Sequence, residues 1–431
     1  MLTDNLSVKD GVLFFGGRST KELAEKYGTP LYLMDEKRIR QNCCEYRDAL
    51  KEFFGDDSCA LYASKAASFV GIYRIISQEG LGADVVSSGE IHTALKAGFP
   101  MENAYFQGNN KTDWDIAYAM DNGVGYFVCD NVEEVDAIDK IAAEKGLKQK
   151  ILLRLTPGID PHTYDEVCTG KVDSKFGTAI ETGQAMEITA HALSKPNIIL
   201  CGFHCHVGSM VFDSDVFLRS AEIMLQFISD VKNKLGFEAG ILDLGGGYGV
   251  RYVSSQPVIS IRENIKEVAK FIKAKCSELG ISRPSIRLEP GRSIVADAGI
   301  TLYTVGTVKK ITDYKNYVSI DGGMTDNPRY ALYESKYTVV PADKTDEPAT
   351  MECDLVGRCC ESGDIIQPKV MFPGSVCRGD LVAVLTTGAY NYSMASNYNR
   401  IPRPPVVMVN GDEDYIAVKR ESLEDLTLND I

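Results

Sequence analysis

The sequence predicts an α/β protein with two parts: a (β/α)8 TIM barrel and a second, all-β domain of the barrel or sandwich type. Eight short apolar stretches typical of strands recur between residues 59 and 289. Amphipathic helical patterns separate most of them, which indicates parallel βα units. Eight such units favour a closed barrel over an open sheet. After about residue 297 the strand-like stretches continue without long helices between them, which predicts the all-β domain.

These patterns define the expected domains and elements. We expect residues 1–34 to contribute to the β domain, residues 35–297 to form the barrel, and residues 298–431 to form the rest of the β domain. The barrel strands are predicted at 59–64, 82–86, 104–108, 125–129, 151–155, 201–207, 241–244 and 285–289. The helices between them are predicted at 67–78, 89–97, 112–121, 131–145, 180–193, 215–235 and 261–278. In the rest of the chain, a helix is predicted at 20–27 and strands at 31–34, 300–312, 316–320, 330–340, 350–357, 380–385, 404–409 and 413–419.

The composition excludes several classes of protein. A hydrophobic content of 44% fits a soluble globular enzyme with a sizeable core. The net charge of −14 argues against nucleic acid and anionic membranes as partners. No apolar run reaches a transmembrane length, and Asp4 and Lys9 interrupt any secretory signal. We therefore expect a cytoplasmic protein.

The twelve cysteines do not form a disulfide pattern, because no C-x-x-C pair occurs and two pairs are directly adjacent. Reduced thiols in a cytosol fit this pattern better. The run from Cys201 to His206 resembles a metal-binding cluster. On a strand, however, alternate side chains face opposite sides, so Cys205 should point away from His204 and His206. We therefore predict no metal site.

Residues suited to catalysis follow the predicted strands at the end where such barrels carry their chemistry. The first strand stops at Lys65, and the sixth runs into His206, which Val-Gly and Ser209 follow. A lysine at a strand end is usually only solvated, so its neighbours decide how it is interpreted. A glycine beside His206 lets backbone approach a ligand closely, and the Ser209 hydroxyl supplies a donor.

The loops after the last two barrel strands suit a phosphate group. The seventh strand runs into glycines 245–247, a loop type that exposes backbone N–H groups. The loop approximates a dinucleotide fingerprint, but the sequence has no matching first βαβ unit with an acidic partner. The eighth strand ends at Glu289, and Pro-Gly-Arg292 follows. Phosphate sites in such barrels commonly use these two loops.

Together these residues predict a ligand that carries a phosphate, reacts with an amine and pairs with a carboxylate. Pyridoxal 5′-phosphate meets all three requirements. Lys65 would bind its aldehyde, His206 would stack on its ring, and Glu289 would pair with its pyridine nitrogen. A carboxylate keeps that nitrogen protonated, so the ring accepts the electrons released at the substrate's α-carbon. The predicted phosphate-binding residues are Ser209, Gly245, Gly246, Gly247, Gly291 and Arg292.

The same residues lie in motifs that resemble those of the alanine-racemase-like group of pyridoxal-phosphate decarboxylases, in the same order along essentially the whole chain. These motifs are Tyr62-Ala-Ser-Lys65-Ala, His206-Val-Gly-Ser209, Gly245-Gly-Gly-Tyr-Gly249, Glu289-Pro-Gly-Arg292-Ser, Cys360-Glu361-Ser-Gly-Asp364 and Gly388-Ala-Tyr390. Within that group the chain is most similar to the branch that acts on meso-2,6-diaminopimelate. The resemblance implies a lyase that releases L-lysine and carbon dioxide, the last step of lysine biosynthesis. It also implies a homodimer whose two subunits share each active site.

The resemblance further implies roles for residues outside the barrel. Cys360 would protonate the α-carbon and Glu361 would bind the distal amine, both from the partner subunit. Arg292 and Arg329 would grip the distal carboxylate, for which an arginine fork is suited. Tyr333 would contact the same carboxylate, and Tyr390 would contact the phosphate or the substrate.

With the barrel residues included, the expected catalytic residues are Lys65, His206, Glu289 and Cys360.

Other functions remain open at this point. A sibling decarboxylase would act on carboxynorspermidine, a D-amino acid or a carrier-bound amino acid. An amino-acid racemase of this fold would tend to place arginine at the pyridine nitrogen, whereas Glu289 favours the stronger electron sink. A non-enzymatic pyridoxal-phosphate-binding homologue would lack the lysine, the cysteine or the β domain. The loop 156–177, with Gly158, Pro161 and Gly170, could form a lid over the barrel mouth.

Overall fold

The structure is a computed structural model that describes residues 3–159 and 174–431. Most of the expected lid loop, residues 160–173, lies outside the described residues. The chain divides into two compact units. The barrel unit comprises Asn42–Gly249 and Ile259–Gly291, and the β unit comprises Met1–Gln41, Val250–Val258 and Arg292–Ile431.

The N-terminal elements begin with a small antiparallel sheet of three strands. They are β1 (Leu6–Lys9), β2 (Val12–Phe15), β3 (Arg18–Ser19), α1 (Thr20–Tyr27), β4 (Leu31–Asp35) and α2 (Glu36–Phe54). The predicted helix at 20–27 is confirmed: the Ser19 hydroxyl accepts the Glu22 N–H, and Gly28 ends the helix at a φ of 71°. Asp35 caps the start of helix α2, since its carboxylate accepts the Arg38 N–H at 3.1 Å.

Eight parallel strands close into a barrel, which confirms the predicted (β/α)8 fold. They are β5 (Cys59–Ala63), β6 (Gly82–Val85), β7 (Ala104–Phe106), β8 (Tyr126–Cys129), β9 (Gln149–Thr156), β11 (Ile198–His204), β12 (Ile241–Asp243) and β13 (Ser285–Leu288), with the two-residue β10 (Thr178–Ala179) beside β9. Strand β13 pairs with β5, so the two ends of the chain of strands meet. Side chains from five of these strands share one buried apolar cluster, so the interior is packed.

The helices around the barrel begin and end at the positions that capping chemistry favours. They are α3 (Val70–Gln78), α4 (Ser88–Ala97), α5 (Asp113–Asp121), α6 (Val132–Lys145), α7 (Gln184–Leu193), α8 (Ser214–Leu235) and α9 (Ile261–Leu279). Four of them start after a serine, threonine or asparagine whose side chain accepts an N–H of the first turn. Four end at a glycine in the left-handed conformation. Short apolar strands and strongly capped helices explain why the sequence predicts these elements well.

The β unit is built on a second sheet, which confirms the predicted all-β part. Its remaining elements are α10 (Arg292–Val295), β14 (Gly299–Ile311), β15 (Lys315–Ile320), α11 (Arg329–Tyr333), β16 (Val339–Pro341), β17 (Ala349–Val356), β18 (Ile365–Pro373), β19 (Leu381–Leu385), β20 (Val406–Asn410) and β21 (Glu413–Val418). The sheet runs β18-β17-β15-β14-β4-β20-β21, and β19 joins β14 to β16. The N-terminal strand β4 is therefore central in it, between β14 and β20.

One strand prediction in this unit is wrong, and one strand, β18, was not predicted. Residues 329–333 form helix α11 rather than the start of a strand, and only Val339 and Val340 of the predicted 330–340 strand lie in a strand, β16. Pro328 precedes the helix with helical backbone angles and starts the turn. Strand β18 was not predicted because Pro368 lies within it. The structure accommodates that proline because β18 is the edge strand and its pairing with β17 is interrupted by register shifts. None of the described helices combines the length and apolar character needed to cross a membrane.

Candidate active site

Lys65 lies where the sequence places it, at the carboxyl end of a barrel strand. Strand β5 ends at Ala63, and the single 3-10 turn Ser64–Ala66 carries the lysine. The Ser64 hydroxyl donates to Glu90 Oε2 at 2.6 Å, and the Val86 N–H donates to the same oxygen at 2.7 Å. This carboxylate ties the lysine's turn to the end of strand β6.

Glu289 converges with Lys65 at the same end of the barrel. It follows β13, the direct neighbour of β5. The Ala63 N–H donates to the Pro290 carbonyl at 3.1 Å. A Cβ on Gly291 would meet the Ala63 carbonyl oxygen at 2.9 Å, so only glycine allows this approach. The segment that carries Glu289 is therefore packed against the end of the strand that carries Lys65.

Two neutral side chains hold the Glu289 carboxylate, one at each oxygen. Gln107 Nε2 donates to Oε1 at 2.5 Å, and His204 Nε2 lies 3.1 Å from Oε2. Burial raises the pKa of Glu289, but the hydrogen bond from His204 and the positive charge of Lys65 outweigh burial and lower it to about 2. Burial lowers the pKa of His204 below 6.5, so at neutral pH its Nε2–H donates to an ionised Glu289.

Two further carboxyl groups inside the barrel, those of Asp84 and Asp243, favour the protonated form, in contrast to Glu289. Burial raises the pKa of Asp84 and of Asp243 well above the usual value, and the charge of Glu289 adds to both shifts. Burial and the charge of Glu289 therefore both favour the protonated form of these two carboxyls, whereas Glu289 is ionised. Groups whose environments separate their pKa values in this way are typical of catalytic sites.

His204, Asp243 and Glu289 also bring three potential metal-ligand atoms within 4.8 Å of one another. We interpret them as a hydrogen-bonded network, because the His204 proton rather than a lone pair faces Glu289. The predicted orientation of Cys205 is confirmed, since its thiol lies 3.3 Å from the Ser220 hydroxyl on α8 while His204 faces Glu289.

His206 packs against the glycine loop. The Gly246 N–H donates to His206 Nδ1 at 3.3 Å, and a Cβ on Gly245 would meet that nitrogen at 2.7 Å. A Cβ on Gly247 would meet the Gly208 carbonyl oxygen at 2.1 Å. Burial lowers the pKa of His206 well below 6.5, so its imidazole is neutral. These contacts explain the glycine run: each position lacks room for a side chain.

The expectation that this loop exposes its backbone N–H groups is met only in part. Besides the Gly246 N–H on His206, the Gly245 N–H donates to Asp243 at 2.8 Å. Two of the three amides thus have acceptors within the barrel unit. Ser209 lies in the connection from β11 to α8, close to the bridge that pairs Val211 with Tyr248.

The β unit contains an arginine cluster made of Arg292, Arg329, Tyr252, Tyr333 and Tyr390. The two guanidinium groups lie 4.6 and 5.2 Å from the centre of the Tyr390 ring. Arg292 Nη1 donates to the Tyr252 hydroxyl at 2.8 Å, and Arg329 lies 5.0 Å from the Tyr333 ring. The structure therefore brings together the three predicted distal-carboxylate residues and Tyr390.

Arg329 is buried without a counter-charge. Its Nε has no hydrogen-bond partner among residues 3–159 and 174–431, and it forms no ion pair within those ranges. A buried cation is costly unless an anion pairs with it. The chemistry of this group therefore favours an anionic ligand.

Cys360 and Glu361 lie in the turn between β17 and β18, and Cys360 is exposed. The buried Asp364 organises this turn by accepting the Met324 and Cys359 N–H groups at 2.6 and 2.7 Å. Glu361 accepts the Gly363 N–H within the turn. Among the described residues, neither Cys360 nor Glu361 forms a hydrogen bond or an ion pair with the arginine cluster.

The chain is similar to known proteins over nearly its full length. Residues 36–296 match the family model of the pyridoxal-binding domain of pyridoxal-dependent decarboxylases. Diaminopimelate decarboxylase of Bacillus methanolicus is 43% identical, over 96% of this chain and 95% of that protein. The enzyme of the same name from Mycobacterium tuberculosis is 38% identical, over 96% and 94%. The chain belongs to the diaminopimelate decarboxylase family.

Solved structures of this family have the same fold. The diaminopimelate decarboxylase of M. jannaschii in complex with L-lysine superimposes with a TM-score of 0.92 at 33% identity, over 100% of this chain and 99% of that one. The Helicobacter pylori enzyme in complex with L-lysine gives 0.85 at 32% identity, over 95% and 98%. Family membership and fold are thus established together.

The barrel unit fits the pyridoxal cofactor of a diaminopimelate decarboxylase. An ionised carboxylate held by neutral donors suits a protonated pyridine nitrogen. The buried atoms Asp84 Oδ1, Gln107 Oε1, His204 Nδ1 and Asp243 Oδ2 lack hydrogen-bond partners among the described residues. A site with this many unused polar atoms is built to contact a polar group.

Sequence reasoning missed several members of this family site. Gln107, Asp84 and Asp243 were not named, and His204 was considered only as a metal ligand. A signal was present for the two aspartates, because an ionisable residue in an otherwise apolar strand is seldom buried without a role. Gln107 follows β7 at the carboxyl end of the barrel, the position that marked Lys65 and Glu289.

The raised pKa of Asp243 gives a pH-dependent prediction for Asp243→Asn. The folded protein holds the Asp243 proton to a higher pH than the unfolded chain, which releases it at about pH 4. The contribution of Asp243 to the stability of the native chain therefore decreases as pH rises. The variant lacks this decrease, because asparagine does not titrate. We expect the free energy of unfolding of the variant to increase relative to the native chain, by up to about 1.4 kcal/mol per pH unit, in urea titrations from about pH 5 to about pH 8.

The control for this prediction is Asp113→Asn, which changes an exposed carboxyl on α5 of the same unit. Its stability difference from the native chain should stay nearly constant over the same pH range. A pH-independent difference for Asp243→Asn would show that Asp243 is ionised in the folded protein.

Proposed function

We propose that this protein catalyses the pyridoxal 5′-phosphate-dependent decarboxylation of meso-2,6-diaminopimelate to L-lysine and carbon dioxide, the last step of lysine biosynthesis. The observation that carries the reaction type is the convergence of Lys65 and an ionised Glu289 at one end of the barrel. The similarity to diaminopimelate decarboxylases over nearly the whole chain supports the substrate.

When bound, the cofactor supplies an aldehyde for the substrate's amine and a ring that accepts the electron pair released with carbon dioxide. Lys65 Nζ would hold the aldehyde of the cofactor. Glu289 would accept the hydrogen bond of the ring nitrogen and stabilise its proton. His206 would lie against the ring as a neutral imidazole and add no positive charge there.

Phosphate binding is assigned to backbone and hydroxyl donors. We propose that Ser209, the 245–247 loop and the backbone around Gly291 and Arg292 donate to the phosphate, with Tyr390 as a further contact. The close packing of the loop on His206 and Gly208 supports this, because it holds the backbone in one conformation.

The arginine cluster is assigned to the distal carboxylate of the substrate. Arg329, buried without an anion, and Arg292 would pair with it, and Tyr333 would help to orient it. A substrate without that carboxylate leaves the buried charge uncompensated, so L-lysine and L-ornithine should be poor substrates. Glu361 would bind the distal amine, and Cys360 Sγ would deliver the proton that replaces carbon dioxide.

A substrate-selectivity assay tests this assignment. The native protein with pyridoxal phosphate should release carbon dioxide and lysine from meso-diaminopimelate. Arg329→Leu should lower kcat/KM for meso-diaminopimelate by about 100-fold, with little effect on the slow reaction of L-lysine, because only the first substrate has the distal carboxylate. The measured quantity is the ratio of the two kcat/KM values.

Arg420→Leu provides the control, since that arginine of the same unit donates to the main-chain carbonyls of Tyr27 and Pro30. It should leave the ratio unchanged. If Arg329→Leu lowers kcat/KM equally for both substrates, Arg329 does not bind the distal carboxylate. If the native protein turns over one of the sibling substrates and not meso-diaminopimelate, the proposed substrate is wrong.

We also propose that the protein is a cytoplasmic homodimer with shared active sites, in which Cys360 and Glu361 act from the partner subunit. The exposed position of Cys360 in a turn ordered by Asp364 supports this, because a rigid exposed thiol can serve another subunit.

Mixing inactive variants tests the shared site. Lys65→Ala and Cys360→Ala should each lose most activity alone. Mixed subunits should recover up to about a quarter of the native rate, because half of a random mixture is heterodimer and one of its two sites is intact. Mixing each variant with itself is the control. No recovery after verified subunit exchange would mean that each site is built from one subunit.

A further inference from the structure

The Glu289 carboxylate contacts two side chains that the proposed function leaves without a role. We propose that Gln107 and His204 are positioning residues, which hold the two oxygens of Glu289 with neutral donors so that its plane is fixed and its charge remains available to the cofactor nitrogen. The inference rests on the proposed function and extends its site by two residues.

The two donors reach Glu289 from different sides of the barrel. Gln107 follows β7, three strands from β13 in one direction, and His204 ends β11, two strands away in the other. The Gln107 N–H donates to the Val85 carbonyl at 2.8 Å, and His204 pairs in register with Asp243 of β12. Both donors are therefore fixed by the barrel, and together they restrict rotation of the carboxylate.

Burial makes these hydrogen bonds matter. Gln107, His204 and Glu289 are 4%, 1% and 7% exposed. A buried carboxylate that loses a donor keeps the full cost of its desolvation. It also gains freedom to rotate, and a carboxylate turned out of plane makes a weaker hydrogen bond to a ring nitrogen.

Both donors are uncharged, and this matters for function because it leaves the charge of Glu289 available to the cofactor nitrogen. A lysine or arginine at either oxygen would neutralise Glu289 and compete with the protonated ring nitrogen for it. An amide cannot ionise, and the buried imidazole of His204 is neutral at physiological pH. The pKa values of Asp84 and Asp243 are raised while that of Glu289 is lowered, so Glu289 is the carboxyl of the three that most favours the charged form.

The simpler explanation is that Gln107 is a buried amide that satisfies its own polar atoms. Gln149 provides a matched control in the same barrel. It is 5% exposed, and it donates to the main-chain carbonyls of Val124, Gly125 and Lys150 at the start of β9. It therefore has the burial and chemistry of Gln107 without a carboxylate partner.

The experiment compares Gln107→Leu with Gln149→Leu in protein loaded with pyridoxal phosphate. Both variants should lose stability, because both leave buried polar groups unpaired. Only Gln107→Leu should lower kcat by about tenfold or more, weaken cofactor binding and change the absorbance of the bound cofactor as a function of pH. The measurements are kcat, the cofactor dissociation constant and the absorbance titration.

His204 is tested by His204→Gln and His204→Leu. Glutamine Nε2 can replace imidazole Nε2 as a donor, whereas leucine cannot. We expect His204→Gln to keep most of the native absorbance titration and kcat, and His204→Leu to lose both. Should Gln107→Leu fail to fold, Gln107→Asn keeps an amide that is too short to reach Glu289, and the same functional loss is expected.

Two results would overturn the inference. One is a Gln107→Leu or Gln107→Asn variant with the cofactor absorbance and kcat of Gln149→Leu. The other is a His204→Gln variant that behaves as His204→Leu. If the native protein binds no pyridoxal phosphate, the proposed function itself fails. If the native protein turns over its substrate and either of the two results above is obtained, only the positioning roles of Gln107 and His204 are rejected.

Discussion

The site depends on one buried negative charge, the carboxylate of Glu289. Desolvation opposes that charge, so the fold must supply donors and a cation to retain it. Gln107 and His204 are the donors, and the Lys65 side chain is the nearby cation that helps to lower the pKa of Glu289 to about 2. Closure of a parallel barrel makes this possible, because it brings the carboxyl ends of all eight strands to one end of the fold.

The β unit has the complementary feature, a buried positive charge. Arg329 lies against two tyrosine rings with its Nε unpaired among the described residues. Aromatic faces hold a guanidinium in place without neutralising it. The β unit therefore retains a buried cation that its own described side chains do not neutralise.

The sequence predicts most of the fold because local signals agree with the tertiary structure. Apolar strands and strongly capped helices predict the barrel, and the residues at strand ends predict Lys65, His206 and Glu289 as neighbours. The roles of those residues stay predictions. Hydrogen-bond partners such as Gln107 are harder to predict, because they lie 182 positions from Glu289 and only barrel closure brings them together. Helix α11 was predicted as a strand and edge strand β18 was not predicted, because the effect of a proline depends on its context. Pro328 starts a helical turn, and Pro368 lies in a strand at the edge of the sheet.

A structure of the protein with bound pyridoxal phosphate tests the central claim most directly. The account predicts a covalent bond from Lys65 Nζ to the cofactor and a Glu289 oxygen about 2.8 Å from the ring nitrogen, with Gln107 and His204 still in contact with the carboxylate. A cofactor attached to another lysine, or a ring nitrogen that faces a group other than Glu289, would contradict it.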